Sequence, residues 1–261
     1  MILHRFATVQ DTAALTVIWQ HAFPEDTAED IADFLANVNL AEECLVAEED
    51  GTVVSMVFLL PATWQGQTPL PLQYIYAAAT LPSHRSRGIF GNLLRQALDV
   101  ARQRGQVASF LHPAQPSLCE YYAAFGYEPF FYCDTLCGAA VPSSIRVKRV
   151  TAENYVTFRK AIAPLFAVEW PSRFLTNTVI TENACAVCVP DGERLLIREV
   201  CCSDGQYEKT CAALAHHFGC DTYECRIPVS KAGEQPFGLL CPLQPIKMSV
   251  TPPPYMGVAL D

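Results

Sequence analysis

The residues best suited to chemistry stand at 85–91, where Arg85, Ser86, Arg87, Gly88, Ile89, Phe90 and Gly91 form a basic, glycine-bearing turn. The stretch before it, Tyr74 to Thr80, is an apolar run of aromatic and small residues, as in a buried strand. Leu81-Pro82-Ser83 breaks that run. Behind the turn, Leu94, Ala97, Leu98 and Ala101 repeat at the spacing of one helical face. Strand, turn and helix start together make an anion cradle. The first N–H groups of a helix lack intrahelical acceptors, and the helix dipole favours negative charge beside them. The pattern predicts a site for the pyrophosphate of a nucleotide-like cofactor, with Arg85 and Arg87 adding charge. The alternative is a pair of solvated loop arginines.

Other groups could act on a bound molecule. Tyr121 and Tyr122 lie in a short predicted helix, Ser117–Phe125, that stops at Gly126. Glu25, Asp26, Glu29 and Asp30 fall in an acidic helical segment, Glu25–Asn37, and His112 follows the strand Val107–Leu111. Cys185 and Cys188 have CxxC spacing, but the segment reads as extended, where positions three apart face opposite sides. No second Cys/His pair follows at zinc spacing, so buried thiols are expected and no metal.

The elements that must position these groups read as an α/β (α+β) chain. Ile2–Val9 is a predicted strand, and Asp11-Thr12 opens a helix to Ala22. Cys44–Glu48 and Thr52–Pro61 form a hairpin over Glu49-Asp50-Gly51, and Trp64–Gln67 reads as a turn. Leu70–Thr80 enters the cradle, and Tyr127–Phe131 is a further strand. A shortened version of the same order follows. It comprises a strand at Ile145–Val150, helices at Thr151–Ala163 and Trp170–Thr178, a hairpin of Ala184–Val189 with Arg194–Val200, a helix at Gln206–Phe218 and a strand at Asp221–Val229. The boundary is expected in the small residues and proline of Gly138–Ser144, giving domains at 1–138 and 145–261.

Composition narrows the partners. The formal net charge is −9, and all of the excess lies in residues 1–140, which hold 15 acids against 6 arginines and no lysine. Residues 141–261 balance 12 acids with 12 bases. Nucleic acid is not expected, since phosphate backbones need basic patches. No apolar run reaches a membrane span and no export signal is evident, so a cytoplasmic protein is expected. An acidic first half suits a cationic or amine substrate, or merely a soluble surface.

With these residues in view, 1–138 resembles the GNAT superfamily of CoA-dependent N-acetyltransferases. The family's Gln/Arg-x-x-Gly-x-Gly/Ala loop is matched by Arg85-Ser86-Arg87-Gly88-Ile89-Phe90. Phe90 takes the last small position with Gly91 behind it. Phe90 is expected to point into the core, with Gly88 and Gly91 giving the room. Tyr121-Tyr122-Ala123-Ala124-Phe125-Gly126-Tyr127 resembles the family's FYxxxGF segment. The resemblance implies a GNAT fold, a central mixed sheet flanked by helices, followed by a second, degenerate GNAT-like unit. It implies acetyl-CoA as cosubstrate, held by Arg85 to Gly91, with Ala79, Thr80 and Leu81 pairing with the pantetheine arm and offering an N–H to the thioester. Tyr122 would protonate the departing thiolate, while Tyr121 is expected in the core. Glu25, Asp26 and Glu29 would border a small-molecule or peptide amine acceptor, and Asp30 or His112 are further candidates for the base. The second unit resembles the tandem arrangement of Eis-like (enhanced intracellular survival) acetyltransferases, whose C-terminal carboxylate would here belong to Asp261. That unit has Cys201-Cys202-Ser203-Asp204-Gly205 in place of the loop, so no CoA is expected there. A non-catalytic CoA-binding regulator or a scaffold remains the competing reading, and a homo-oligomer is left open.

Overall fold

A computed structural model describes residues 1–66, 68–163, 167–233, 235–245 and 251–260. The chain begins with β1 (Ile2–Phe6), α1 (Thr12–Ala22), α2 (Ala28–Ala36) and α3 (Leu40–Glu43), followed by β2 (Cys44–Glu49), β3 (Thr52–Gln65) and β4 (Leu70–Thr80). Then come α4 (Ile89–Gln103), β5 (Ala108–Leu111), α5 (Leu118–Ala123) and β6 (Glu128–Phe131). The second half adds β7 (Cys133–Ala139), β8 (Lys148–Arg149), α6 (Ala152–Ile162), β9 (Ala167–Glu169), β10 (Thr178–Ile180) and β11 (Ala184–Asp191). It closes with β12 (Arg194–Cys202), α7 (Tyr207–Phe218), β13 (Thr222–Pro228) and β14 (Gly238–Pro242). This is the α/β arrangement of mixed sheets flanked by helices that the sequence predicts.

The first sheet runs β1-β2-β3-β4-β5-β14-β6, with β9 on β3. Its interior strands are apolar on both faces, and Val53 to Leu60 of β3 are buried without a break. β2 and β3 turn over Asp50 and Gly51, both at positive φ (50° and 84°), which a two-residue hairpin of matching twist demands. α1 buries Leu15, Ile18 and Trp19 at helical spacing. α2 starts in a capping box in which Asp30 and Thr27 satisfy each other's N–H groups. β4 and β5 run parallel, and α4 is the crossover between them.

The second sheet has the order β7-β13-β12-β11-β10-β8. α7 connects the parallel pair β12 and β13 and lays Cys211, Leu214 and Ala215 into a core with Cys188, Leu195, Ile197 and Tyr223. Cys188 belongs to this core, whereas Cys185 faces Cys201 across the β11–β12 ladder, so the CxxC pair points to opposite sides. All twelve cysteines are free thiols.

Several expectations need correction. Trp170–Thr178 is not a helix but a 3-10 turn at Ser172–Phe174 followed by β10. Pro171 removes a donor and restrains Trp170, Asn177 takes positive φ (49°), and Thr178-Val179-Ile180 is β-branched. Gly138 and Ala139, assigned to the linker, finish β7 and pair with Tyr223 and Thr222. A Cβ at Gly138 would lie 2.6 Å from the Tyr223 hydroxyl, so this glycine serves strand packing rather than a hinge. Two compact units exist, but their chain boundaries differ from 1–138 and 145–261. The first comprises Met1–Pro61, Pro71–Glu128 and Leu240–Ile246; the second comprises Ala62–Leu70, Pro129–Leu239 and Lys247–Asp261. Leu240 and Cys241 carry the late chain into the first unit, where Leu243 N–H donates to the Val107 carbonyl at 2.9 Å. No helix among the described residues is long and apolar enough to cross a membrane.

The entry to α1 is fixed by charge. Arg5 donates to both Asp11 oxygens, at 2.7 and 2.8 Å, and Thr8 N–H donates to Asp11 at 2.7 Å. The Arg5 guanidinium, reinforced by Thr8 and opposed by burial, pulls the Asp11 carboxyl down to about 2. A depressed carboxyl stabilises the fold above its unfolded value and loses that contribution as pH falls toward its folded one. Asp11→Asn is therefore expected to cost about 1–2 kcal/mol at pH 7 after discounting for solvent screening. The difference from the parent should vanish between pH ~4 and ~2 in urea titrations. An equal deficit at both ends of that window would refute the assignment.

Candidate functional site

β4 and β5 are paired only from Leu72 to Tyr74 of β4, so its last residues run on past that ladder. Ala77 takes positive φ (43°) and interrupts the alternation of side chains. Ser55 Oγ holds the strand end, donating to the Ala79 carbonyl at 2.9 Å and lying 2.8 Å from Thr80 Oγ1. Leu81 N–H is committed to the Val54 carbonyl at 2.9 Å, so of the three residues proposed to meet the pantetheine arm, Leu81 cannot supply a donor without breaking that bond.

A single 3-10 turn, Pro82–His84, leads into the loop. Arg85 Nε donates to the Thr80 carbonyl at 3.1 Å. Ser86 (φ 60°) and Gly88 (φ 72°) are both left-handed, and Gly88 directly precedes α4. No side chain caps the helix and no acid lies in its first turn. Backbone N–H groups presented through left-handed residues can form a nest for an anion, and a helix dipole favours negative charge at the same end. Space around Gly88 is open, so its glycine is required by conformation rather than by crowding.

Gly91 has a different reason. A Cβ there would lie 3.1 Å from the Phe125 ring and 3.5 Å from the Tyr121 hydroxyl. The missing side chain lets α4 pack against α5. Phe90 departs from expectation. It stacks on Tyr121, with centroids 6.1 Å apart and planes at 21°, and is only half-buried. Tyr121, expected in the core, is 41% exposed.

Tyr122 is the buried member of the pair, 8% exposed, with its ring edge-on to Tyr121 and Tyr127. Tyr127 is fastened in turn to Ser109 Oγ at 2.7 Å. Burial, with a smaller push from Tyr121, raises the Tyr122 hydroxyl to about 12. It therefore stays protonated, and a donor, throughout the neutral range.

The two loop arginines are unequal. Arg85 is exposed, whereas Arg87 forks onto Glu49 at 2.6 and 2.9 Å. Glu49, on the far side of the β2–β3 hairpin, was not singled out by the sequence. Nothing local marks it, since it sits 38 residues from its partner inside an ordinary turn signal.

The acidic segment divides as well. Asp26 accepts from Trp19 Nε1 at 2.6 Å, and Trp19 belongs to a ring cluster with Phe34, Phe58 and Tyr76. Asp30 is occupied in the α2 cap. Glu25 and Glu29 are exposed. His112 is half-buried just beyond β5. Asp261 lies outside the described residues. In the second unit the corresponding helix start differs, because Asp204 Oδ1 accepts from Gln206 N–H at 3.0 Å immediately before α7. No cluster of three or more His, Cys, Asp or Glu placed to hold a metal occurs among the described residues.

The uncapped start of α4, reached through left-handed Ser86 and Gly88, thus stands beside a mixed sheet in which β4 and β5 run parallel. Residues 4–130 match the family model described as an acetyltransferase (GNAT) domain. Solved structures agree in fold. A GCN5-related N-acetyltransferase from Kribbella flavida superposes with a TM-score of 0.70 at 18% identity, over 93% of this chain and 72% of that one. A GCN5-related N-acetyltransferase from Anabaena variabilis gives 0.71 at 15% identity, over 94% and 73%. Eis1 from Mycobacterium abscessus gives 0.68 at 15%, over 93% and 74%. No curated protein matches the sequence.

Proposed function

We propose that this protein transfers an acetyl group from acetyl-CoA directly to a primary amine. The observation that carries the reading is the α4 start, where left-handed Ser86 and Gly88 present uncapped N–H groups beside Arg85 and Arg87. In a chain half so short of bases, those two cations stand where a pyrophosphate would need them. Acetyl-CoA supplies an activated thioester. The residues of this chain bind it through Arg85, Ser86, Arg87, Gly88, Ile89, Phe90 and Gly91, and along Ala79, Thr80 and Leu81 at the end of β4. Gly91 acts by seating α4 on α5. The amine attacks the carbonyl carbon, the carbon–sulfur bond breaks, and the Tyr122 hydroxyl donates to the developing thiolate. The proton shed by the amine passes to solvent or to a carboxylate. Glu25 and Glu29 are the exposed candidates to draw in a cationic acceptor, while Asp26 and Asp30 are held in structural bonds. The second unit, GNAT-like and arranged as in Eis-like tandem proteins, is proposed to bind no CoA, since Asp204 would repel an anion at α7. The setting proposed is cytoplasmic, with no nucleic acid partner and no metal.

The test is a calorimetric titration with acetyl-CoA followed by an amine panel assayed for free CoA thiol. Saturable binding with amine-dependent thiol release supports the enzyme. Binding without release on any amine favours a CoA-binding regulator, and no binding overturns both. Replacing Arg85 and Arg87 together with Ala is expected to weaken acetyl-CoA binding by about tenfold or more, the loss of two charge-assisted phosphate contacts. Loss of turnover at unchanged affinity would contradict the cradle.

A further inference from the structure

We propose that Glu49 is a positioning residue for the cofactor cradle, one carboxylate that clasps the turn from both sides. The proposal rests on the acetyl-CoA reading above. Ahead of the left-handed Ser86, His84 Nε2 lies 3.3 Å from Glu49 Oε2; behind it, Arg87 Nη1 and Nη2 reach Oε2 and Oε1 at 2.9 and 2.6 Å. His84 Nδ1 is steadied by Ser83 Oγ at 2.8 Å. Glu49 itself is fixed, because it ends β2 between Ile2 of β1 and Thr52 of β3.

The turn needs such a clasp. A serine at φ 60° is an unfavourable conformation that persists only where its surroundings over-determine it. Open space surrounds Gly88, and no side chain caps the helix behind it. The side-chain bonds that tie this turn to the strands are Arg85 to the Thr80 carbonyl and the Glu49 pair. Arg87 has a long, rotatable stem, so holding its fork in place before the cofactor arrives removes an ordering cost from binding. Two donors of the fork go to Glu49, and the remaining N–H groups are left to turn toward a phosphate.

A carboxylate near a polyanion also repels it, and the two effects have opposite signs. At this half-buried position water and salt still screen part of the repulsion, and Arg87 at 2.6 Å offsets the charge directly. The ordering of the turn therefore dominates, and removing Glu49 weakens the cofactor rather than tightening it.

Calorimetric titration of CoA into the full chain and into Glu49→Ala, Glu49→Gln, Arg87→Ala and the Glu49→Ala/Arg87→Ala double variant tests this. Glu49→Ala should weaken CoA about fivefold or more, and Gln, which still accepts one bond, should recover part of it. The loss should appear in KM for acetyl-CoA rather than in kcat. It should be absent with acetyl-pantetheine, which lacks the phosphates, a selectivity that a general loss of folding would not show. The double variant should lose less than the product of the two single losses, because Glu49 acts largely through Arg87. Wild-type-like or tighter CoA binding by Glu49→Ala, with the parent binding normally, overturns the clasp alone. A parent that does not bind CoA saturably overturns the acetyl-CoA reading and the clasp with it.

Discussion

Replacing Arg159 with Met is expected to destabilise the second unit by about 3–5 kcal/mol, because it strands a buried carboxylate. Arg159 and Glu199 are 2% and 1% exposed. The guanidinium donates through Nε to Glu199 Oε1 at 2.6 Å and through Nη2 to Oε2 at 2.8 Å, and Nη2 also reaches the Val168 carbonyl at 2.8 Å. Tyr155 adds its hydroxyl to Oε1 at 2.6 Å. Burial opposes the Arg159 charge, but Glu199 outweighs it and holds the guanidinium firmly protonated. A Cβ at Gly257 (φ 68°) would fall on Glu199 Oε2, so the late chain also packs directly over the carboxylate. The pair thus joins α6, β9, β12 and the segment around Gly257. The matched double variant Arg159→Met/Glu199→Met removes both charges and should recover most of the loss, since well-packed apolar replacements of buried ion pairs are often neutral. Gly257→Ala should cost as much as Arg159→Met. Urea unfolding, with hydrogen exchange in β12 to locate the change, measures all three. A deficit under about 1 kcal/mol for Arg159→Met would mean that water reaches the pair, and that it is a surface bridge in energetic terms.

These partners illustrate what the sequence could not show. Arg159 and Glu199 stand 40 residues apart in a helix and a strand that each look ordinary, and nothing local marks them as a pair. The same holds for Glu49 and Arg87. Features with local causes are legible: the α1 and α4 apolar faces, the Asp50-Gly51 turn, the α7 stop at Gly219, and the basic glycine turn before α4, which is written in adjacent residues. β9 and β14 leave little trace in the sequence because strands of three and five residues carry little periodicity and form through distant partners. Trp170–Thr178 forms no helix because Pro171 removes a donor near its start and the β-branched Thr178-Val179-Ile180 favours a strand at its end. In the candidate site the sequence names residue types but does not fix the direction each side chain takes. Adjacent Tyr121 and Tyr122 had to face apart, but which one faced inward depended on Gly91 and Phe125 bringing α4 onto α5, a tertiary fact.

That orientation decides the second large effect. Tyr122→Phe is expected to lower kcat about tenfold or more while leaving KM for acetyl-CoA nearly unchanged, the pattern of an interaction made only in the transition state. The substitution deletes one oxygen and keeps the ring. The edge contacts with Tyr121 and Tyr127 persist, so the thermal midpoint should hardly move. With its hydroxyl raised to about 12, Tyr122 is a poor proton source in the ground state against a thiol, which titrates near ~8.5. Its contribution is therefore a hydrogen bond that strengthens as charge gathers on sulfur, and the free thiolate takes its proton from solvent after the carbon–sulfur bond breaks. The pH profile separates this from a phenol of ordinary acidity. With Tyr122 kept neutral, kcat should show no basic limb from its ionisation near pH ~10. A limb near 10 in the parent that disappears in Tyr122→Phe would show a solvated phenol instead of the buried one. An unchanged kcat in the variant would remove Tyr122 from the reaction. Tyr121→Phe is the control, because it keeps the ring that stacks on Phe90, so kcat and KM should both hardly change. If Tyr121→Phe rather than Tyr122→Phe slowed turnover, the donor would be the exposed tyrosine, and the site would be turned by one residue of α5 from the arrangement proposed here.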